Sequence, residues 1–536
     1  MAKIDGNKLL VKALEAQGAK KIFSIPGGQL MGVYEAIRRS GKIELLVPRQ
    51  EGAGALMACG YALASGDAGV VISTVGAGII YELAGLIYAF KERIPVVSIA
   101  PQVQSWRIKP IQESLQAMDQ DELFAPITKF NAIIYHSYRI PQLVARAWRI
   151  ALAPQPGPVH LDLPLDVAFQ KVRVKKSELE NLVPPAKKTR FTGKRSADPK
   201  EIEKAKRLLA EAKRPLALVG RMLVRSCSAL SVLEEFLQRT QIPAICSNPA
   251  FSALSAKSRL FLGTFDLYSE ESALELFAGA DLLLYLEPDE EVAEFARKIL
   301  EKASGRAIML CSLPTLFASA PIDCALEGDA DLILSELKQA TSERAPEERA
   351  SWQKELSEQK EKALERKKSW YSGAEYKDLI HSLKTIDQVL GKDDYLICES
   401  ELVCELAKIY LKNFSLGRVI LIGNNLPKGA GFPLALGIKA GAEKARVFLI
   451  TDRRNFKYHS RELQTQARYG LGICSLVFPE KLPFAKSEPN FAQLAKSLGA
   501  KGISVSEPSE EINQELLETA GREESGTLIE IRSPEF

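Results

Sequence analysis

Short runs of valine, isoleucine and leucine alternate along this chain with longer amphipathic stretches, and that alternation restricts the fold more than any other feature. Residues 94–99, 215–220, 282–286, 395–398, 418–422, 446–450 and 474–478 are too apolar for strands with a solvent face. They read as strands buried on both sides, as in parallel sheets covered by crossover helices. At 536 residues the chain exceeds one core, and about 150 residues per domain gives three. Two polar stretches mark the joints. Residues 175–200, rich in Pro, Lys and Ser, read as a linker, and residues 341–374, alternating Glu with Lys and Arg, as a solvated helical connector. The expected fold is therefore α/β, with three doubly wound parallel-sheet domains at 1–174, 201–340 and 375–536.

Composition narrows the function classes. A net charge of +4 and the lack of any basic recognition module argue against nucleic acid. Eight cysteines, at 59, 227, 246, 311, 324, 398, 404 and 474, form no Cys-x-x-Cys pair and sit mostly in apolar runs. They read as free buried thiols, and with no apolar signal core at the N-terminus the expected location is cytoplasmic. The most apolar region, 68–90, is broken by glycines and holds Glu82, so no membrane span is expected. There is no Gly-x-Ser-x-Gly elbow, Walker loop or His-Glu-x-x-His, and Gly76-x-Gly78 lacks the third glycine of a dinucleotide turn. Four histidines lie in separate segments; His160 reads as a sheet residue, whereas His459 follows the strand-end Asp452.

The segment 44–62 carries the sharpest chemical signal. An apolar strand enters the turn Pro48-Arg49-Gln50-Glu51, and a small-residue helix begins at once. Glu51 thus stands at a strand's carboxyl end and at a helix N-terminus, where α/β proteins bind ligands. The plainer role is to complement the helix dipole, worth about 0.3–1 kcal/mol.

Neighbouring segments resemble the thiamine diphosphate enzymes of the acetolactate synthase and 2-oxoacid decarboxylase type. The matching stretches, in order, are Phe23-Ser24-Ile25-Pro26-Gly27-Gly28, Pro48-Arg49-Gln50-Glu51, Thr74-Val75-Gly76-Ala77-Gly78, Pro95-Val96-Val97, Ile111-Gln112-Glu113 and Pro156-Gly157-Pro158-Val159-His160-Leu161-Asp162. The resemblance implies a pyrimidine-binding first domain, a central domain and a diphosphate-binding third domain. It implies a homodimer or homotetramer whose cofactor lies between the first domain of one subunit and the third of its neighbour. Glu51 would be the glutamate that stabilises the cofactor's imino tautomer. Gln112 would line the substrate side, and Pro26, Gly27, Gly28, Gly76 and Gly78 would let the backbone approach the cofactor.

The third domain departs from the family pattern. Thr451-Asp452-Arg453-Arg454-Asn455 stands where the family has Gly-Asp-Gly, and Pro479-Glu480-Lys481 stands where it has Asn-Asn. Of the Mg²⁺ ligands, only Asp452 and Glu480 are candidates, with Arg453 competing beside them. Glu399-Ser400-Glu401 replaces diphosphate-contacting residues, and Lys428, before Gly429, replaces the apolar buttress of the bent cofactor. In the central domain Glu287-Pro288-Asp289-Glu290 replaces a turn that holds FAD in several relatives, so no FAD is expected. Three readings follow. In the first, the chain is a cofactor-impaired paralogue that completes a hybrid site in a hetero-oligomer with a full-motif thiamine diphosphate paralogue. Alternatively it is an active 2-oxoacid decarboxylase or carboligase, with Arg453, Arg454 and Lys457 rebuilding the diphosphate anchor. The third reading is a binder of another anionic ligand in the inter-domain cleft.

Overall fold

The computed structural model describes residues 2–190, 193–268, 271–300, 305–312, 322–340, 347–423, 427–479 and 489–532. Its strands form three parallel six-stranded sheets, each flanked by helices, in the three-domain α/β architecture expected from the sequence. In the first domain β1 (Ala2–Asp5) pairs antiparallel with β8 (Lys171–Val174) beside the main sheet. That sheet holds β2 (Lys21–Ser24), β3 (Glu44–Leu46), β4 (Gly69–Ile72), β5 (Val96–Gln102), β6 (Asn131–Ile133) and β7 (Val159–Pro164), in the order β3-β2-β4-β5-β7-β6. The central sheet comprises β9 (Pro215–Val219), β10 (Ala244–Cys246), β11 (Phe261–Thr264), β12 (Leu282–Leu286), β13 (Arg306–Cys311) and β14 (Cys324–Glu327), ordered β11-β10-β9-β12-β13-β14. The third comprises β15 (Tyr395–Glu399), β16 (Val419–Ile422), β17 (Val447–Asp452), β18 (Cys474–Phe478), β19 (Lys501–Val505) and β20 (Thr527–Ile531), ordered β16-β15-β17-β18-β20-β19.

Each sheet reverses its strand order in its interior, between β2 and β4, between β9 and β12, and between β15 and β17, and the first and third reverse again at the far edge, at β7-β6 and β20-β19. Crevices outside the carboxyl ends at such points are where open α/β sheets take ligands. Burial on both faces explains the runs: β9, β12, β15 and β18 are buried at every residue.

The first and third domains meet through two small-residue helices, Glu51–Ser65 and Gly431–Gly441. A Cβ on Gly60 would collide with the Leu434 carbonyl, and one on Gly437 with the Met57 carbonyl. Glycine at both positions therefore sets the helix separation, and the contact is main chain against main chain. The same face fixes the approach to Glu51. Arg49 donates its backbone N–H to Glu462 at 2.8 Å, and Val47 donates to the Tyr469 hydroxyl at 3.0 Å.

The connector is more than a solvated rod. Its helix, Glu347–Trp370, buries Arg349, Trp352, Leu356, Ala363 and Leu364 against the central domain. Arg349 donates to the carbonyls of Ala212 at 2.9 Å and Thr240 at 3.0 Å, and the Trp352 indole donates to Pro215 at 3.0 Å. A few apolar residues at helical spacing make one narrow stripe, which the flanking charges obscure in sequence. The seven cysteines whose side chains are described are free and buried. Among the described residues no helix is long and apolar enough to cross a membrane.

Candidate functional site

At the first sheet's edge, Glu51 opens its helix as the only acidic residue of the first turn, with Gln50 extended before it. The carboxylate is half-buried and accepts no hydrogen bond from the described residues. Three segments converge on it. Thr74 packs against Gly27, and a Cβ on Gly78 would meet both the Thr74 hydroxyl and, at 3.0 Å, the Glu51 Oε1. Gly76, at φ 80°, takes the left-handed turn that starts the next helix. Gly27, Gly78 and Glu51 are thus brought together, with Gly76 in the same loop, while Pro26 and Gly28 lie exposed on the adjoining turn. Gln112 sits exposed on a 3-10 turn, Ile111–Glu113.

Beneath Glu51 runs a buried polar chain. Glu82 accepts from Ser73, Ser98 bonds the His160 Nδ1 at 2.8 Å, and His160 Nε2 lies 3.0 Å from Asp162. Burial raises the Glu82 pKa, and Glu51 adds to the rise. His160, stacked 3.9 Å from Phe124, is a sheet residue held at both ring nitrogens.

The third sheet's edge is arranged differently. Asp452 caps the helix Arg453–His459, and its Oδ1 accepts the Asn455 backbone N–H at 2.8 Å. The Asn455 side chain then donates to both Asp452 oxygens at 3.1 Å. Glu399, buried at the end of β15, accepts from the Gly431 N–H at 2.9 Å and the Thr451 hydroxyl at 2.7 Å. Its carboxylate therefore occupies the N-terminus of the Gly431–Gly441 helix, the position where a bound anion would accept the same bond. Burial pushes its pKa up to about 7, with Asp452 adding to the rise. Ser400 follows at φ 96°, a left-handed backbone unusual for a side chain.

The candidate cations of this edge are dispersed. Arg453 donates to the Glu530 carboxylate at 2.8 Å and to the Pro489 carbonyl at 2.5 Å, with its guanidinium 5.5 Å from the Phe491 ring. Arg454 and Lys457 are exposed. Gly429, at φ 78°, packs against Asn455 and Tyr458, where a side chain would collide. His459 is largely buried, and burial lowers its pKa to about 4. Glu480 lies outside the described residues. Among the described residues no group of three or more His, Cys, Asp or Glu side chains could hold a metal ion.

The central crevice carries its own carboxylates too. Asp289 accepts from the Arg221 N–H at 2.8 Å and the Ser247 hydroxyl at 2.6 Å, and Glu287 from the Ser312 N–H at 3.0 Å. A Cβ on Gly220 would strike the Glu287 carbonyl, so the two strand ends touch across the switch point.

Family models match two stretches: "Thiamine pyrophosphate enzyme, N-terminal TPP binding domain" over residues 4–123, and "Thiamine pyrophosphate enzyme, central domain" over 202–337. The chain belongs to the acetolactate-synthase-like thiamine diphosphate enzymes. It is 28% identical over 557 residues to a probable acetolactate synthase large subunit of Methanococcus aeolicus, covering 97% of this chain and 91% of that protein. It is 24% identical over 542 residues to the acetolactate synthase isozyme 3 large subunit of Escherichia coli, covering 95% and 91%. Against the isozyme 2 large subunit of the same organism, identity is 32% over 281 residues, 52% of this chain and 49% of that protein. Within this thiamine diphosphate fold, sequence reasoning missed Glu462, Thr74 and Glu530. Thr74 opens the matched segment 74–78 but was given no role there, Glu462 and Glu530 stand in no motif segment, and Glu462 meets Arg49 across 413 residues.

Proposed function

We propose that this chain is a cofactor-impaired acetolactate-synthase-like subunit whose first domain supplies Glu51 to a hybrid site, opposite the third domain of a full-motif paralogue. The observation that carries this is the Glu399 carboxylate, which takes the Gly431 N–H and the Thr451 hydroxyl at the third sheet's switch point. A diphosphate brought there would meet a buried carboxylate instead of free donors, and Asp452 already spends both oxygens on Asn455. A magnesium-bound diphosphate does not fit that set, so no chemical step is assigned to this chain's own third domain. The engagement of Arg453 with Glu530 counts against a rebuilt cationic anchor. In the central domain, the donors around Asp289 and Glu287 are likewise taken, in keeping with no FAD.

The first domain supports the other half of the proposal. Glu51 is half-buried, unpaired among the described residues and held by a loop tied to Glu462. Its role in a hybrid site is to hold or release a proton at a ligand nitrogen, while Thr74 and Gly78 bound the space beside it.

Calorimetric titration of thiamine diphosphate with Mg²⁺ into the isolated chain is expected to give no saturable binding in the micromolar range. Mixed with a full-motif acetolactate synthase large subunit carrying its own Glu-to-Gln change, this chain is expected to restore carboligation. Glu51→Gln here should abolish that rescue. Micromolar binding to the isolated chain, with turnover, would instead establish it as an enzyme in its own right.

A further inference from the structure

Away from the three switch-point crevices, a cavity of about 410 Å³ lies at the junction of all three domains. Leu63 and Pro95 wall it from the first domain, Val224 and Pro249 from the central, and Leu416 and Ile420 from the third. It adjoins the C-terminal turn of the Glu51–Ser65 helix, which at 1.5 Å per residue puts it ~20 Å from Glu51. It is therefore a separate site.

Its charges do not balance. Three arginines, Arg93, Arg225 and Arg418, share the lining with one carboxylate, Glu92. Glu92 is shared between Arg221, outside the cavity at 3.2 Å, and the lining Arg225 at 3.6 Å, so the cavity's one carboxylate serves two arginines. Arg225 donates Nη2 to the Glu92 carbonyl at 3.0 Å, but its buried Nε has no hydrogen-bond partner. Burial also lowers the Arg225 pKa, the effect that an anion in the cavity reverses. Arg418 lies 4.3 Å over the Tyr395 ring and makes no ion pair among the described residues. Arg93 is held at φ 54°, a left-handed backbone that disfavours any residue but glycine. Its nearest carboxylate, Glu290, is 4.0 Å away with a mostly exposed side chain.

We propose that this junction binds a small organic anion, a single carboxylate or phosphate group on an apolar body. The head group meets Arg225, with Arg93 and Arg418 on the same cavity lining, since a guanidinium fork pairs with either oxyanion. The apolar body fills the space between the leucines and prolines. The volume falls within the range of roughly 300–1,000 Å³ typical of small-molecule pockets.

Titration calorimetry on the full-length chain tests this with phenyl phosphate and benzoate, using inorganic phosphate and benzyl alcohol as half-ligands. At least one aromatic anion is expected to bind with one-to-one stoichiometry, about tenfold or more tighter than either half-ligand. The stronger of the two anions identifies the head group. Arg418→Met and Arg93→Gly are each expected to weaken that binding at least about tenfold. Arg93→Gly relieves the left-handed backbone, so its Tm should hold or rise, which separates lost binding from lost folding. The proposal is overturned if neither anion binds at millimolar concentration, if benzyl alcohol binds as tightly as phenyl phosphate, or if both variants keep wild-type affinity.

Discussion

At the carboxyl edge of the first sheet, Glu51 stands half-buried with no hydrogen-bond partner among the described residues. At the corresponding edge of the third, Glu399 is buried and accepts two hydrogen bonds, and Asp452 beside it accepts three from Asn455. Both edges come from the same doubly wound plan and both present a helix N-terminus nearby. The difference lies in where the polar capacity goes. The first edge leaves a carboxyl group unpaired among the described residues, whereas the third consumes its donors internally. A ligand site needs unspent hydrogen-bonding capacity, and on that measure the two edges are opposites.

The comparison is most severely tested at Glu530. This fully buried carboxylate accepts from Arg453, from Arg532 and from the N–H groups of Phe491 and Ala492. Glu530→Ala leaves the Arg453 charge without its counter-ion and two backbone donors without a partner, and is expected to cost about 3–5 kcal/mol in urea unfolding. A loss below about 1 kcal/mol would mean that Arg453 is free to serve an anion, which would revive the cationic anchor.

Next in size comes the helix pair joining the two domains. Gly437→Ala drives a methyl group into the Met57 carbonyl and should destabilise by about 3 kcal/mol. The same variant should lower any Glu51-dependent rescue, because the helix that carries Glu51 must move. Unchanged stability and rescue would separate the two edges mechanically.

Glu399 predicts a pH dependence. Its pKa is about 7 in the folded state, above the ordinary carboxylate value, so the folded protein holds a proton that the unfolded chain has released. Stability should therefore fall as pH rises from the ordinary carboxylate range to about 7, and flatten above it. Glu399→Gln should remove this part of the slope, leaving the variant more stable than wild type at pH 8 by an amount on the order of 1–3 kcal/mol. Glu462 and Glu287, each raised to about 7 by burial, slope the same way, so the difference between variant and wild type is the quantity to measure. Parallel curves for the two proteins would show that Glu399 is not buried against its neighbours as described.

The smallest stability effect belongs to Glu51. Glu51→Gln breaks no hydrogen bond among the described residues and alters only a helix-dipole contact, so unfolding should shift by less than about 1 kcal/mol. A larger loss would make Glu51 a structural residue and end its contrast with Glu399.

Much of this was legible in the sequence, for a local reason. The apolar runs at 215–220, 282–286 and 474–478 became strands buried on both faces, because a hydrophobic run bounded by turns carries its own secondary-structure signal. Glu51 was legible because its strand, turn and helix are contiguous. The departures at 399–401 and 451–455 were equally visible, but their consequences were not. That Glu399 reaches the Gly431 N–H spans 32 residues, and that Arg453 turns to Glu530 spans 77. The connector misled in the same way, since Trp352 and Leu356 find their partners only on the central domain.

The sequence by itself determined the three parallel sheets, the placing of Glu51 at a strand end and the Thr-Asp-Arg-Arg-Asn run at 451–455, because each is written in neighbouring residues. Tertiary structure alone decided which carboxylates are spent and which remain unpaired. It also decided that arginines from three domains share one cavity. Hydrogen-bond capacity and charge balance are settled between segments tens to hundreds of residues apart, and only the folded chain brings those segments together.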